Sequence, residues 1–198
     1  MNIQPWKKCV PALFCLLLLG KVATAAPAVL GVCAECHGAD GSGAGLSNVP
    51  ILAGTPAAHL EEALYAYQDG ARRCGEEPAM CEIASTLGDD EVLQLAEHFA
   101  SMKRIWANEA SDPAFSKIGE RIHEEHCAKC HVLPDDEDVE NALGIPLHGQ
   151  RSDYLKVAFV AYLSGDRETL VPGMAEKLEI LDADDVDALI NYYSGYQP

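Results

Sequence analysis

Two short stretches place sulfur and imidazole at a fixed spacing: "CAECH", with Cys33, Cys36 and His37, and "CAKCH", with Cys127, Cys130 and His131. In each, two thiols three positions apart are followed directly by a histidine. The spacing suits covalent capture of one porphyrin, because each thiol can add to one vinyl group while the next residue's imidazole is delivered to the iron. A single copy would also fit a redox Cys-x-x-Cys pair or half of a zinc site. Two copies, each with its histidine, point to two covalently bound haem c groups.

A haem iron takes a sixth ligand or keeps an open position, and that choice separates electron carriers from enzymes. Met80 follows His37 at the same spacing as Met174 follows His131, whereas Met102 has no counterpart in the other half. The expected iron ligands are therefore His37 with Met80 and His131 with Met174; the competing reading is a pair of core methionines. His59, His98, His123, His126 and His148 would allow a bis-histidine scheme, but none repeats at a matched position, so they read as surface or core residues.

The matched spacing belongs to a longer internal repeat. "VPILAGTPAAHLEEALYAYQDG" from Val49 aligns with "IPLHGQRSDYLKVAFVAYLSG" from Ile145, with one residue gained or lost near Gly54 and Gly149. "MCEIASTLGDDEVLQLAEHFAS" from Met80 aligns without gaps to "MAEKLEILDADDVDALINYYSG" from Met174. Helical periodicity agrees between the halves: Leu60, Ala63, Leu64 and Tyr67 match Leu155, Ala158, Phe159 and Tyr162. Val92, Leu95, Ala96 and Phe99 match Val186, Leu189, Ile190 and Tyr193, each set after acids suited to a helix N-terminus. Phe115, Ile118 and Ile122 predict an amphipathic helix before the second haem motif, with a shorter first-half partner starting near Pro27. No alternating strand pattern competes, so the chain reads as all-α. The expected domains are 26–104 and 114–198, joined by 105–113 within the stretch from Ser101 to Pro113, where Asp112-Pro113 disfavours continued helix.

Residues 1–25 read as a secretory signal peptide, with Lys7 and Lys8, an apolar run from Val10 to Leu19, and Ala23-Thr24-Ala25 before the cut. The run is shorter than the ~20 residues a membrane span needs, so periplasmic export is expected, without membrane association after cleavage. The formal net charge of the 198 residues is −17, and removal of the signal, which carries three lysines and no acid, makes it more negative. Such a charge argues against nucleic acid as a partner and favours a basic docking surface with salt-sensitive association. "DDEDVE", Asp135 to Glu140, reads as a solvated loop or a docking patch. Arg72, Arg73, Arg151 and Arg167 are scarce cations in this chain and are candidates to meet haem propionates.

"CGEEPAMC" brackets Met80 with Cys74 and Cys81, which have no counterparts in the second half. In an oxidising compartment a disulfide bracing the methionine loop is one reading. Two others stay open: Cys81 as a thiolate ligand of the first haem, hinting at thiosulfate oxidation, and a redox-active pair that accepts sulfur.

The two Cys-x-x-Cys-His motifs, the Pro-to-Gly stretch after each, and the Met-led helix pairs ending in "AEHFAS" and "INYYSG" resemble the dihaem cytochromes of the c4 type. "GERIHEEHCAKCH", the acid-rich "PDDEDVEN", "GIPLHGQRSDYL" and "MAEKLEIL" resemble most the cytochrome subunit of flavocytochrome c sulfide dehydrogenase. The resemblance spans roughly residues 28 to 197 and implies two tandem class I cytochrome c domains, each enclosing one covalent haem. It implies electron relay without catalysis by this chain, with a sulfide-oxidising flavoprotein subunit or another redox protein as partner. The alternatives are a free carrier serving a terminal oxidase, and a haem enzyme such as a thiosulfate dehydrogenase or a small dihaem peroxidase.

Overall fold

A computed structural model describes residues 28–43, 46, 48–75 and 78–198. The expected signal peptide, 1–25, lies outside the described residues. Among those residues all regular structure is helical apart from one isolated bridge: α1 (Leu30–His37), α2 (Ala57–Gln68), α3 (Ala79–Ser85), α4 (Asp89–Ala100), α5 (Pro113–His126), α6 (Ser152–Ser164), α7 (Pro172–Leu178) and α8 (Ala183–Ser194), with a short 3-10 helix at Val139–Asn141. No helix among them is long and apolar enough to cross a membrane.

Helix ends follow local chemistry. Asp182 caps α8 by accepting from the Asp185 N–H at 2.9 Å, while the Asp182 N–H donates back to the Asp185 carboxylate at 3.2 Å. This reciprocal pair satisfies donors that the first turn would leave orphaned. At α4 the Gly88 N–H donates to Glu91 at 3.2 Å, and Asp89, Asp90 and Glu91 place negative charge at the positive end of the helix dipole. Asp112 caps α5 by accepting from Ala114 and Phe115 N–H, and Pro113 takes the first helical position, where its missing N–H costs nothing. The Asp-Pro step expected to close a connection therefore opens α5, and the preceding non-helical chain runs from Ser101 to Asp112.

Each half has its own core. Leu60, Leu87, Val92, Leu95, Ala96 and Phe99 cluster where α2 meets α4. Ile122, Leu155, Ala188, Leu189, Ile190 and Tyr193 cluster where α8 meets α5 and α6. The α5–α8 crossing is close because Gly119 has no side chain: a Cβ there would collide with the Ala188 carbonyl. The apolar face expected for α5 is corrected here. Phe115 and Ile118 are exposed, and the buried face is Gly119, Ile122 and His123, because close approach at Gly119 rotates that face onto α8.

The halves are fastened along a polar seam. The buried Gln150 amide donates to the Ile51 carbonyl at 3.0 Å and accepts from the Ile51 N–H at 2.9 Å. Arg151 reaches the Gly43 carbonyl at 3.1 Å. Arg104 spans the carbonyls of Gly54, at 3.3 Å, and His148, at 3.2 Å, with its guanidinium over Trp106. Burial pushes the Arg104 side chain down to about 10. The bridge joins Arg72 to Arg167, so the loops after α2 and α6 pair backbone to backbone across the seam.

Candidate haem sites

Each Cys-x-x-Cys-His motif sits at the end of a helix. Cys33, Cys36 and His37 form the last turn of α1. Cys127 follows α5 directly, and helical hydrogen bonding persists past it: Cys127 N–H to the His123 carbonyl at 2.8 Å, His131 N–H to the Cys127 carbonyl at 2.9 Å. Helical backbone puts the two thiols three positions apart on one face. None of these four cysteines is paired in a disulfide.

The histidines are oriented by backbone. His37 is 7% exposed and its Nδ1 faces the Pro50 carbonyl at 3.3 Å. His131 Nδ1 faces the Ile145 carbonyl at 2.8 Å. A carbonyl only accepts, so each Nδ1 carries the proton and each Nε2 keeps its lone pair, the tautomer a metal ligand requires. Burial lowers both pKa values, which keeps the rings neutral. Gly144 makes room for the second ring, since a Cβ there would lie 2.5 Å from His131 Nδ1.

Met174, near the start of α7, and His131 line one cleft of about 610 Å³ counting its open mouth. Leu143, Leu170 and Val171 line it too and are 70%, 57% and 38% exposed. Apolar side chains left open in a cleft that also holds an imidazole and a thioether suit a large flat apolar group, and a porphyrin fits that description. Met80 takes the equivalent place at the start of α3 and is half-buried. Gln68 steadies that helix by donating to the carbonyls of Ala84 and Leu87, each at 2.9 Å.

Cys74 and Cys81 form a disulfide, with Cα atoms 6.0 Å apart. The Cys81 sulfur is thereby in a covalent bond, and the thiolate-ligand reading does not hold for this structure. The remaining histidines separate into two kinds. His59 and His126 lie beside Glu62 and Glu125, at 3.9 and 3.7 Å, and His98 packs edge-on to Phe99. His123 and His148 instead form a buried pair, with ring centroids 4.7 Å apart, among Tyr192, Tyr193 and Tyr196. His123 Nδ1 meets the Tyr193 hydroxyl at 3.0 Å. Single-residue reading missed this pair; its one sequence signal is that His123 falls next to Ile122 on the buried face of α5.

No protein-family model matches the chain. Over 75 residues it is 36% identical to cytochrome c-554(548) of Halomonas halodenitrificans, a match covering 37% of this chain and 88% of that protein. The chain belongs to the c-type cytochromes. Its tandem form is that of the dihaem cytochrome c4 type: cytochrome c4 of Pseudomonas aeruginosa is 28% identical over 187 residues, covering 87% of this cytochrome and 88% of the relative. The crystal structure of reduced recombinant cytochrome c4 from Pseudomonas stutzeri superposes with a TM-score of 0.69 at 25% identity, covering 88% of this chain and all of that one. This cytochrome therefore carries two haem c groups. A 70-residue stretch is also 41% identical to a protein named thiosulfate dehydrogenase electron acceptor, from Stutzerimonas stutzeri; the stretch is 35% of this cytochrome and 32% of that protein.

Proposed function

We propose that this cytochrome is a periplasmic electron relay in which His37 with Met80 and His131 with Met174 hold the two irons, and Cys33, Cys36, Cys127 and Cys130 hold the haems covalently. The carrying observation is the second cleft, where a carbonyl-oriented His131 and Met174 line the same space. Bound haem supplies one-electron exchange between ferric and ferrous iron. The chain's part would be to hold each iron with a histidine and a methionine, which would leave substrate no open position. A carbonyl acceptor at each Nδ1 makes the imidazole a stronger donor and fixes its ring plane. A thioether favours the reduced iron relative to a second imidazole, which suits an electron acceptor. Residues 26–104 and 114–198 are the two carrier domains, and the seam around Gln150 holds them in one orientation.

The electron donor we propose is an enzyme that oxidises a reduced sulfur compound. Two candidates differ in cofactor. Resemblance in the second half supports a flavoprotein that oxidises sulfide, and similarity to a thiosulfate dehydrogenase electron acceptor supports a thiosulfate-oxidising partner. Purification of the native protein, with an optical spectrum of what accompanies it, separates them. A stoichiometric flavin supports the sulfide dehydrogenase, and additional haem c without flavin supports the thiosulfate enzyme. A lone dihaem protein rejects a stable complex and leaves a free carrier of the c4 type. With a formal net charge of −17, docking to a basic partner should weaken as salt is added, and an affinity indifferent to salt would point to an apolar interface.

A further inference from the structure

Arg72 and Arg167 hold equivalent places in the two halves, in the loops that follow α2 and α6. The seam brings them together: their residues form the antiparallel bridge, flanked by Arg73 N–H to the Asp166 carbonyl and Glu168 N–H to the Ala71 carbonyl, each at 2.8 Å. Each guanidinium lies over a tyrosine of its own half, Arg72 5.3 Å from the Tyr67 ring centre and Arg167 4.4 Å from that of Tyr162.

The surroundings of Arg72 are unusual for so acidic a protein. Among the described residues no carboxylate lies within ion-pair distance of it, although the chain has 31 acids against 14 lysines and arginines. Its titratable neighbours are three neutral phenols, Tyr154, Tyr67 and Tyr162. The adjacent Arg73 takes the nearby acid, Glu168, at 3.8 Å on the surface. A guanidinium stays charged when packed among aromatic rings, so Arg72 brings to the site a positive charge that no described carboxylate pairs with. That charge faces a specific place, because Arg72 and Arg167 line the cleft that also holds His131 and Met174. The cleft is walled by both halves, with Arg72, Glu62 and His59 from the first and His131, Met174 and Arg167 from the second, so Arg72 reaches the second histidine–methionine pair from across the seam.

A planar fork of N–H donors fits a carboxylate with two parallel hydrogen bonds, and haem carries two carboxylates on one edge. We propose that Arg72 is a positioning residue of the second haem site, holding a carboxylate of that haem from across the seam, with Arg167 beside it as the local donor. The inference rests on the dihaem reading and not on the identity of the axial ligands. A cation beside a haem carboxylate offsets negative charge near the iron and favours the reduced state. Arg72 therefore raises the potential of the haem outside its own half.

The test uses the full mature protein with both haems, as wild type, R72Q and R72K, in redox titrations followed by NMR. The second haem is assigned through contacts of its thioether bridges with Cys127 and Cys130. The expected result is a lower potential for the second haem in R72Q, a smaller change for the first, and recovery in R72K. An unmoved second haem, a larger shift on the first, or equal shifts in R72Q and R72K would overturn the proposal, since loss of packing alone does not distinguish lysine from glutamine by charge. Should R72Q fail to mature, the wild type decides: through-space contacts between the Arg72 guanidinium and the propionate methylenes of the second haem are expected, and their absence overturns the assignment. Loss of methionine ligation would defeat the axial assignment and leave this test standing.

Discussion

The two halves share a helix plan and brace opposite sides of their haem sites. In the first half the methionine side is pinned: the Cys74–Cys81 disulfide closes a loop around Met80, and Gln68 holds the carbonyls at the end of α3. The second half has Leu163 and Ala175 at the places of Gln68 and Cys81, so α7 has neither restraint. There the histidine side is reinforced instead, by the fourteen-residue α5 crossing α8 at Gly119 and by the buried His123, His148 and Tyr193 behind the Cys-x-x-Cys turn. On the proposed ligation, the duplicated sequence supplies the same candidate ligands to each half, while the residues that differ decide how firmly each is held.

The sharpest break of the comparison comes from removing one haem. Replacing Cys127 and Cys130 together by alanine should eliminate covalent attachment in the second half and leave one haem by mass. Retention of two covalent haems would contradict the attachment sites. Next in size is the disulfide. Closing a loop of sequence separation 7 contributes roughly 2–3 kcal/mol in the chain-entropy model. Replacing Cys74 and Cys81 by serine should therefore lower the first half's denaturation midpoint and leave the second unchanged, as read by hydrogen exchange in the two cores. Equal loss of protection in both would show that the seam unfolds as one unit. Gly144→Ala should act in the second half alone, displacing the His131 ring at a cost of about 1–3 kcal/mol, as overpacking does; an unchanged second haem spectrum and stability would show that the loop yields freely.

The smallest effect concerns pH. Burial, the largest cause, pushes His123 down to about 4 and His148 to about 3, with neighbouring histidines and, for His148, Arg104 adding to it. The folded state keeps both rings neutral where the unfolded chain, with an ordinary histidine near 6.5, binds protons. Stability of the second half should therefore be full above about pH 6.5 and fall as pH drops from there toward 4. The first half has no such buried pair among its described residues and should lose less over that window. Replacing His148 by leucine should flatten the slope in urea melts; an unchanged slope would place the titrating groups elsewhere.

The candidate site could be named from the chain because covalent chemistry and matched spacing need no tertiary context. The Cys-x-x-Cys-His motifs and the equal offsets to Met80 and Met174 are properties of the chain alone, and the helical periods of Leu60 to Tyr67 and Val92 to Phe99 correspond to α2 and α4. What stayed hidden depends on packing. Phe115 and Ile118 carry the apolar period of α5 yet are exposed, because Gly119 sets the crossing. Gln150 and Arg104 bind partners far away in sequence, Ile51 and Gly54 among them. The Arg72–Arg167 bridge likewise exists only once the halves meet.

The most direct test of the His–Met relay is the methionine-to-iron charge-transfer band of the oxidised protein, measured in Met80→Ala and Met174→Ala separately. Each variant should lose about half of the band while keeping two covalent haems, as expected if each thioether fills one axial position. A band of unchanged intensity in either variant would contradict the ligand assigned to that half.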